Sequence, residues 1–289
     1  MGKLRFGTAG IPHSTPQRHS TDGIAQIRAL GLDCMELPWV QKVSIGEARA
    51  AEIKAAAQKH EVVLSVHAPY YINFNSRQAK IVKASRERVL AAARKGWLAG
   101  ARNIVFHAAF YHDDPPETVY ERVKEHMIEI VAILREEGNE VMLRPETTGK
   151  PSQFGTVEEL IALSREVPGV LPCVDFAHLH ARAGGGCNSM DDFAHILRLI
   201  EKGLGHQALD DMHIHVSGIE YTDKGEREHL NLATADLRYQ ELVQVWRAFD
   251  LGGAVICESP NLEEDALILQ ALYRQAESSE AAVKQRSPR

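Results

Sequence analysis

The chain has 289 residues, 44% hydrophobic and 25% charged, which excludes global disorder and a stapled mini-protein and leaves material for a sizeable core. A formal net charge of −6, from 33 Lys and Arg against 39 Asp and Glu, excludes a globally basic nucleic-acid coat, though not a local basic or metal-lined groove. Histidine is the outlier of the composition, with 14 residues.

Short β-rich runs alternate with longer helical patterns along the whole chain, the signature of βαβ units. From the N-terminus, Lys3 to Ala9 predicts a strand and Thr21 opens a first helix. Cys34 to Val40 predicts a second strand, followed by a helix from Ile45 to His60. Val62 to Ala68 and Asn103 to Ala108 read as strands three and four, separated by a helix from Gln78 to Leu98 that Ser76 precedes. After a helix from Glu117 to Glu137 comes a fifth strand, Glu140 to Glu146. Thr156, three residues before Glu159, has the spacing of a capping box for the helix from Val157 to Glu166.

A sixth strand, Leu171 to Phe176, leads to a helix from Met190 to Gly203, and a seventh, Met212 to Ser217, to a helix from Arg238 to Phe249. Ala254 to Glu258 is the eighth strand. A last helix opens at Asn261 and is expected to end near Ala276, leaving a polar, frayed tail over 277–289. Eight strands with no Pro/Gly-rich linker predict an α/β fold, a single (β/α)8 TIM barrel over residues 1–276. The competing open sheet announces itself with a Gly-rich turn after the first strand, whereas Gly7-Thr-Ala-Gly10 lacks G-x-G-x-x-G spacing and reads as a strand-end turn.

Cys34, Cys173, Cys187 and Cys257 form no C-x-x-C pair, so neither a zinc ribbon nor a disulfide framework is indicated. With no apolar signal core at the N-terminus and no run of the ~18 apolar residues that a membrane span needs, the chain is expected to be cytoplasmic, with no membrane partner. Its oligomeric state is not legible.

Six consecutive strands each end in a ligand-type side chain. These ends read Ser65-Val-His67, Val105-Phe-His107, Arg144-Pro-Glu146, Cys173-Val-Asp175, His213-Ile-His215 and Ile256-Cys-Glu258. Alternate strand residues share a face, so a closed barrel gathers these groups at its C-terminal mouth, where active sites of this fold are built. Three carboxylates and several imidazoles in one site need a counter-charge, which divalent cations supply. Mixed nitrogen and oxygen donors suit zinc, with manganese or iron as alternatives, better than magnesium. His178, three residues past Asp175, is placed to ligate a further ion, whereas His180 reads as solvent-exposed. His213 and His215 share a face, and spacing does not choose between them as ligands. Arg144 reads as half of a structural ion pair, and Cys173 and Cys257 as small strand fillers.

The segments Val66-His67-Ala-Pro-Tyr70-Tyr-Ile-Asn73, Pro145-Glu146-Thr-Thr-Gly149, Val174-Asp175-Phe-Ala-His178, His213-Ile-His-Val-Ser-Gly218 and Cys257-Glu258-Ser-Pro-Asn261 occur in order along the barrel. Through them the chain resembles the endonuclease IV family of abasic-site DNA nucleases, within the xylose-isomerase-like barrel superfamily. The resemblance implies one zinc on His67, His107 and Glu146, and a second on Glu146, Asp175, His213 and Glu258. A third would use His178 with a loop pair. Here that loop reads Lys224-Gly-Glu226-Arg-Glu228-His229, a departure in which His229 or an acidic neighbour substitutes.

The implied activity is hydrolysis of a phosphodiester at an abasic site, with Glu146 and Glu258 as catalytic carboxylates and DNA as partner. Tyr70 and Tyr71 would contact the lesion as a minor-groove wedge or simply cover the mouth, and His215 would contact substrate. The alternative is a sugar isomerase or epimerase using one ion on Glu146, Asp175, a strand-seven histidine and Glu258.

Overall fold

The computed structural model describes residues 3–286, with side chains through residue 275. Eight parallel strands form the barrel: β1 (Leu4–Ala9), β2 (Cys34–Pro38), β3 (Val63–His67), β4 (Asn103–Phe106), β5 (Met142–Pro145), β6 (Cys173–Asp175), β7 (Met212–Val216) and β10 (Gly253–Cys257). Between β7 and β10 lies an antiparallel hairpin of β8 (Gly218–Thr222) and β9 (Gly225–Leu230). The sheet order is β5-β4-β3-β2-β1-β10-β7-β6. Its two edges meet through the bridges Leu143–Val170 and Glu146–Cys173 and the bond from Thr147 N–H to the Cys173 carbonyl (3.0 Å), which closes the barrel.

The helices α1 (Ser20–Ala29), α2 (Glu47–His60), α3 (Ala79–Leu98), α4 (Pro116–Glu136), α5 (Val157–Glu166), α6 (Phe176–Arg182), α7 (Met190–Leu204), α8 (Gln207–Asp210), α9 (Tyr239–Ala248) and α10 (Glu263–Arg286) surround it. Each long helix turns one apolar stripe to the sheet. In α4 that stripe is Val119, Val123, Met127, Ile130, Val131 and Leu134, at the three- and four-residue spacing of a single helix face. Burying each such side chain contributes about 1.5–3 kcal/mol, enough in sum to order the layer against its entropy cost.

The expected capping box at Thr156 and Glu159 is present: Glu159 N–H donates to Thr156 Oγ1 (3.2 Å), and Glu159 Oε2 accepts from Thr156 N–H (2.9 Å). Two other expected starts differ. Residue His19, without a side-chain bond, precedes α1, so Thr21 is already inside the helix. Ser76 Oγ accepts from Gln78 N–H in the approach, while Gln78 itself occupies the cap of α3. The final helix runs to Arg286, beyond the expected end near Ala276.

Gly7 lies inside β1 opposite Cys34, not in a turn, and the strand has no room for a side chain there, since a Cβ would sit 1.7 Å from the Cys34 carbonyl. The seven-residue α6 and the hairpin were not anticipated. One is too short to establish a helical period, and the other carries mostly polar side chains. Arg144 pairs with Asp211 (2.8 Å) as expected, although the guanidinium is buried inside the barrel and Asp211 is largely exposed.

Candidate metal centre

The strand ends converge as their alternation requires. Glu146, one residue past β5, is 2% exposed and central. Its Oε2 lies 3.3 Å from His67 Nε2 at the end of β3 and 3.2 Å from His107 Nε2 just after β4. On the other side its Oε1 lies 3.3 Å from His215 Nδ1 on β7 and 3.1 Å from His178 Nδ1 on α6. Glu258, just past β10, reaches His215 Nδ1 at 3.3 Å, and Asp175 ends β6 with its Oδ2 3.3 Å from His178 Nδ1.

Backbone carbonyls set the imidazole tautomers. His67 Nδ1 donates to its neighbour's carbonyl at Ala68 (2.8 Å), leaving the Nε2 lone pair facing a carboxylate oxygen at 3.3 Å. His178 Nδ1 donates to the Thr147 carbonyl (2.9 Å), leaving Nε2 toward Glu226 at 3.6 Å. Two lone pairs facing each other at such distances call for a proton or a cation between them. Burial opposes charge on both rings, yet Glu146 and, for His178, Asp175 draw a proton onto them, raising both above the ordinary histidine range. His215 is raised in the same way, against its burial, by Cys173 and the surrounding carboxylates. Glu146 is held well below the ordinary range despite its burial, chiefly by His107 and His215, whereas burial dominates at Asp175 and pushes it up.

Among the described residues four ligand groups result: His67, His107 and Glu146; Glu146, Asp175, His215 and Glu258; Asp175, His178 and His229; and a deeper set of Cys173, His213 and His215. Within each, one donor atom per residue lies within 4.8 Å of the others, consistent with donors about 2.0–2.3 Å from a shared zinc. Both oxygens of Glu146, Asp175 Oδ2 and both ring nitrogens of His215 are buried without an aligned hydrogen-bond partner. Leaving so many charged or polar atoms unpaired costs several kcal/mol (roughly 1–3 each), and the donor types fit divalent zinc, manganese or iron.

The mouth opens into a cavity of about 270 Å³ lined by His67, Tyr70, His107, His178, Glu226 and His229, together with Glu146, Glu258, Phe110, Lys150 and Gln153. Tyr70, part of that lining, and its chain neighbour Tyr71 are 59% and 65% exposed, with the Tyr70 and His67 rings edge-to-face at 5.4 Å. Glu226, on β9, closes the far side. It approaches because Gly149 lacks a Cβ, which would lie 2.6 Å from that of Glu226. Against its burial, His178 holds the Glu226 carboxyl down to about 2.

The structure brings His67, His107, Glu146, Asp175, His178, Glu258 and His229 together. His213 does not join them: its Nε2 contacts Glu36 Oε2 (3.1 Å) one layer deeper, and His215 takes the place beside Glu146 and Glu258. Strand register is the reason, since Asp175 aligns with His215 and Cys173 with His213. His180 is buried, not exposed, its Nε2 3.0 Å from Asp236 Oδ1, which ties α6 to the segment before α9. Glu36 on β2 was missed. The available signal was an acidic residue within the apolar run Cys34-Met-Glu36-Leu-Pro38.

The chain is 40% identical over 272 residues, 94% of its length and 97% of the relative's, to an uncharacterised protein of Methanocaldococcus jannaschii. Among solved structures it is similar to endonuclease IV from Thermus thermophilus, with a TM-score of 0.71, 19% identity, and 95% of this chain and 99% of that one covered. A D-tagatose 3-epimerase-like protein matches with a TM-score of 0.72 and 18% identity, over 98% of this chain and 100% of the other. At these identities the two structures show a shared fold, and they come from different chemistries. A family model matches residues 24–278, and the chain, with its closed barrel and ligand-rich mouth, belongs to the xylose isomerase-like TIM barrel family.

Proposed function

We propose that the protein is a zinc-dependent phosphodiester hydrolase that incises DNA at abasic sites, a cytoplasmic repair enzyme. The observation that carries this reading is the position of Glu146 between two ligand groups, one oxygen toward His67 and His107 and the other toward His215. A carboxylate placed so is suited to join two ions, the arrangement of two-metal phosphoesterases. His67, His107 and Glu146 would hold one ion, and Glu146, Asp175, His215 and Glu258 the second. Asp175, His178 and His229, with Glu226 beside His178, would hold a third. Bound divalent cations supply Lewis-acid charge for an in-line displacement at phosphorus and lower the pKa of water.

The remaining chemistry belongs to side chains. Glu258 faces the cavity with 14% of its side chain exposed and is placed to accept a proton. Lys150 at the rim offers a phosphate a positive charge in an otherwise acidic mouth. Tyr70 and Tyr71 present exposed rings where a duplex would rest, and an extruded abasic sugar lacks the base that would fill the site.

A second reading has its own support. Glu146, Asp175, His215 and Glu258 alone complete a one-ion set of the kind a sugar isomerase or epimerase uses, and about 270 Å³ accommodates a small sugar. The deciding experiment incubates the zinc-reconstituted protein with a duplex carrying one abasic analogue, and separately with ketoses. Chelator-sensitive incision 5′ of the lesion, with the intact duplex and ketoses unchanged, is expected. Ketose epimerisation with one manganese and no incision would replace the nuclease reading.

A further inference from the structure

Beneath the metal-ligand mouth lies a buried polar chain that the proposed chemistry does not use. From the largely exposed Asp211, whose Oδ2 accepts from Arg144 Nη2 (2.8 Å), it passes into the barrel as the buried Arg144 donates through Nε to Asn103 Oδ1 (2.8 Å). That bond orients the Asn103 amide, so its Nδ2 faces His213 Nδ1 (3.4 Å) as a donor. His213 must then carry its proton on Nε2, which donates to Glu36 Oε2 (3.1 Å). The same oxygen accepts from Ser65 Oγ (2.7 Å).

Glu36 Oε1 is thereby left as the unpaired oxygen of a fully buried carboxylate. The atom facing it, at 3.1 Å, is His215 Nε2, which likewise has no aligned partner. Each is the other's available complement, and an unpaired buried charge is among the most costly groups a core can hold.

We propose that Glu36 is a positioning residue for the metal centre: its Oε1 accepts a hydrogen bond from His215 Nε2–H, which keeps the ring proton on Nε2 and presents the Nδ1 lone pair toward Glu146 and Glu258. A carboxylate behind a ligating imidazole fixes its tautomer and ring orientation and raises its basicity. The inference rests on His215 being a ligand in the metal reading above, but it does not require a phosphodiester substrate. A metal ion on Cys173, His213 and His215 themselves is the competing use of this layer. The permanent guanidinium of Arg144, one asparagine away from His213, disfavours a second cation there.

The test is cobalt(II) titration of the metal-free, full-length protein against a chelator, reading stoichiometry and visible absorption for wild type, Glu36→Gln, Glu36→Asp and Cys173→Ser. Glu36→Gln keeps the shape but turns an amide N–H toward one of its donors. It should weaken one cobalt equivalent on the order of 10–100-fold and shift that site's absorption bands, while the remaining equivalents and the far-ultraviolet circular dichroism stay unchanged. Glu36→Asp should restore part of the affinity. In the cobalt protein an exchangeable, hyperfine-shifted N–H proton from His215 should be protected in wild type and exchange faster in Glu36→Gln. A wild type that binds no cobalt would remove the metal reading itself. Wild-type binding with an unaltered Glu36→Gln titration and spectrum, or an equivalent lost only in Cys173→Ser, would overturn the role of Glu36.

Discussion

His107 Nε2 lies 3.2 Å from Glu146 Oε2, on the side of that carboxylate away from the oxygen that faces His215. One side chain thus connects two donor groups that are separate in sequence. Glu146→Gln keeps the volume and removes the charge shared by both groups. Incision should fall by at least about a hundredfold, the upper end of what indirect ligand contacts are worth, with at least one metal equivalent lost and the circular dichroism retained. Full activity in the glutamine variant would refute a bridging role.

Stability should depend on metal. On the metal reading, bound cations would satisfy the buried, unpartnered oxygens of Glu146, Asp175 Oδ2 and His215 Nδ1, so metal binding and folding should be linked. At a metal excess of about a thousandfold over Kd the linkage contributes ~4 kcal/mol, which for a domain of this size corresponds to a Tm change of roughly 7 °C. Calorimetry with a chelator, followed by zinc add-back, checks it. A Tm indifferent to both treatments would contradict the reading.

Gly149 is where the hairpin is admitted to the centre. Gly149→Ala places a Cβ 2.6 Å from that of Glu226 and 3.1 Å from His178 Cδ2, so Glu226 must withdraw. The expected cost is about 1–3 kcal/mol in urea unfolding, as for other overpacked sites, together with weaker zinc retention on the His178 side. Unchanged unfolding and retention would show that the hairpin does not depend on this approach.

Tyr70 lines the cavity, is 59% exposed and meets the His67 ring at 5.4 Å. Tyr70→Ala should therefore leave stability within about 0.5 kcal/mol while raising KM for an abasic duplex more than it lowers kcat. Binding of that duplex should weaken with salt as counterions are released. A kcat loss with unaltered KM would assign the ring to the chemical step instead.

Acid should weaken one tie outside the ligand set, between the start of α10 and the loop after β1. Glu263 accepts the backbone N–H groups of Ser14 (2.8 Å) and His13 (2.9 Å). Burial opposes its charge, but these donors hold the carboxyl below its ordinary value of about 4.5. A depressed folded pKa gives stability that is present above the ordinary value and is lost as pH falls below it. Glu263→Gln should accordingly destabilise the protein at pH 7 and show a smaller further loss between pH 4.5 and lower pH than wild type does. Parallel stability curves for the two proteins would exclude the linkage.

The eight barrel strands and most of the centre were legible because both depend on local periodicity. Alternation along each strand puts His67, Glu146 and Asp175 at the end that faces the mouth, and βα repetition without a linker specifies a barrel whose closure gathers those ends. Thr156 and Glu159 were readable for the same reason: a capping box is complete within four residues. His180 was misjudged because its partners, Asp236 56 residues away and the Tyr221 ring at 5.1 Å, are contacts no local pattern contains.

Sequence alone determined which side chains face the barrel axis, since a period of two leaves no choice of face. It did not determine how deep each one lies, because that depends on how neighbouring strands slide past one another. Pairing of β6 with β7 aligns Asp175 with His215 and Cys173 with His213, and so selects His215 as the residue beside Glu146. Pairing of β2 with β3 sets Glu36 opposite Ser65 and brings its carboxylate under the same histidine. Folding of the β8–β9 hairpin onto Gly149 delivers Glu226 to His178. Register and hairpin docking are set by hydrogen bonds and packing between segments remote in the chain, which is why these three placements belong to the tertiary structure.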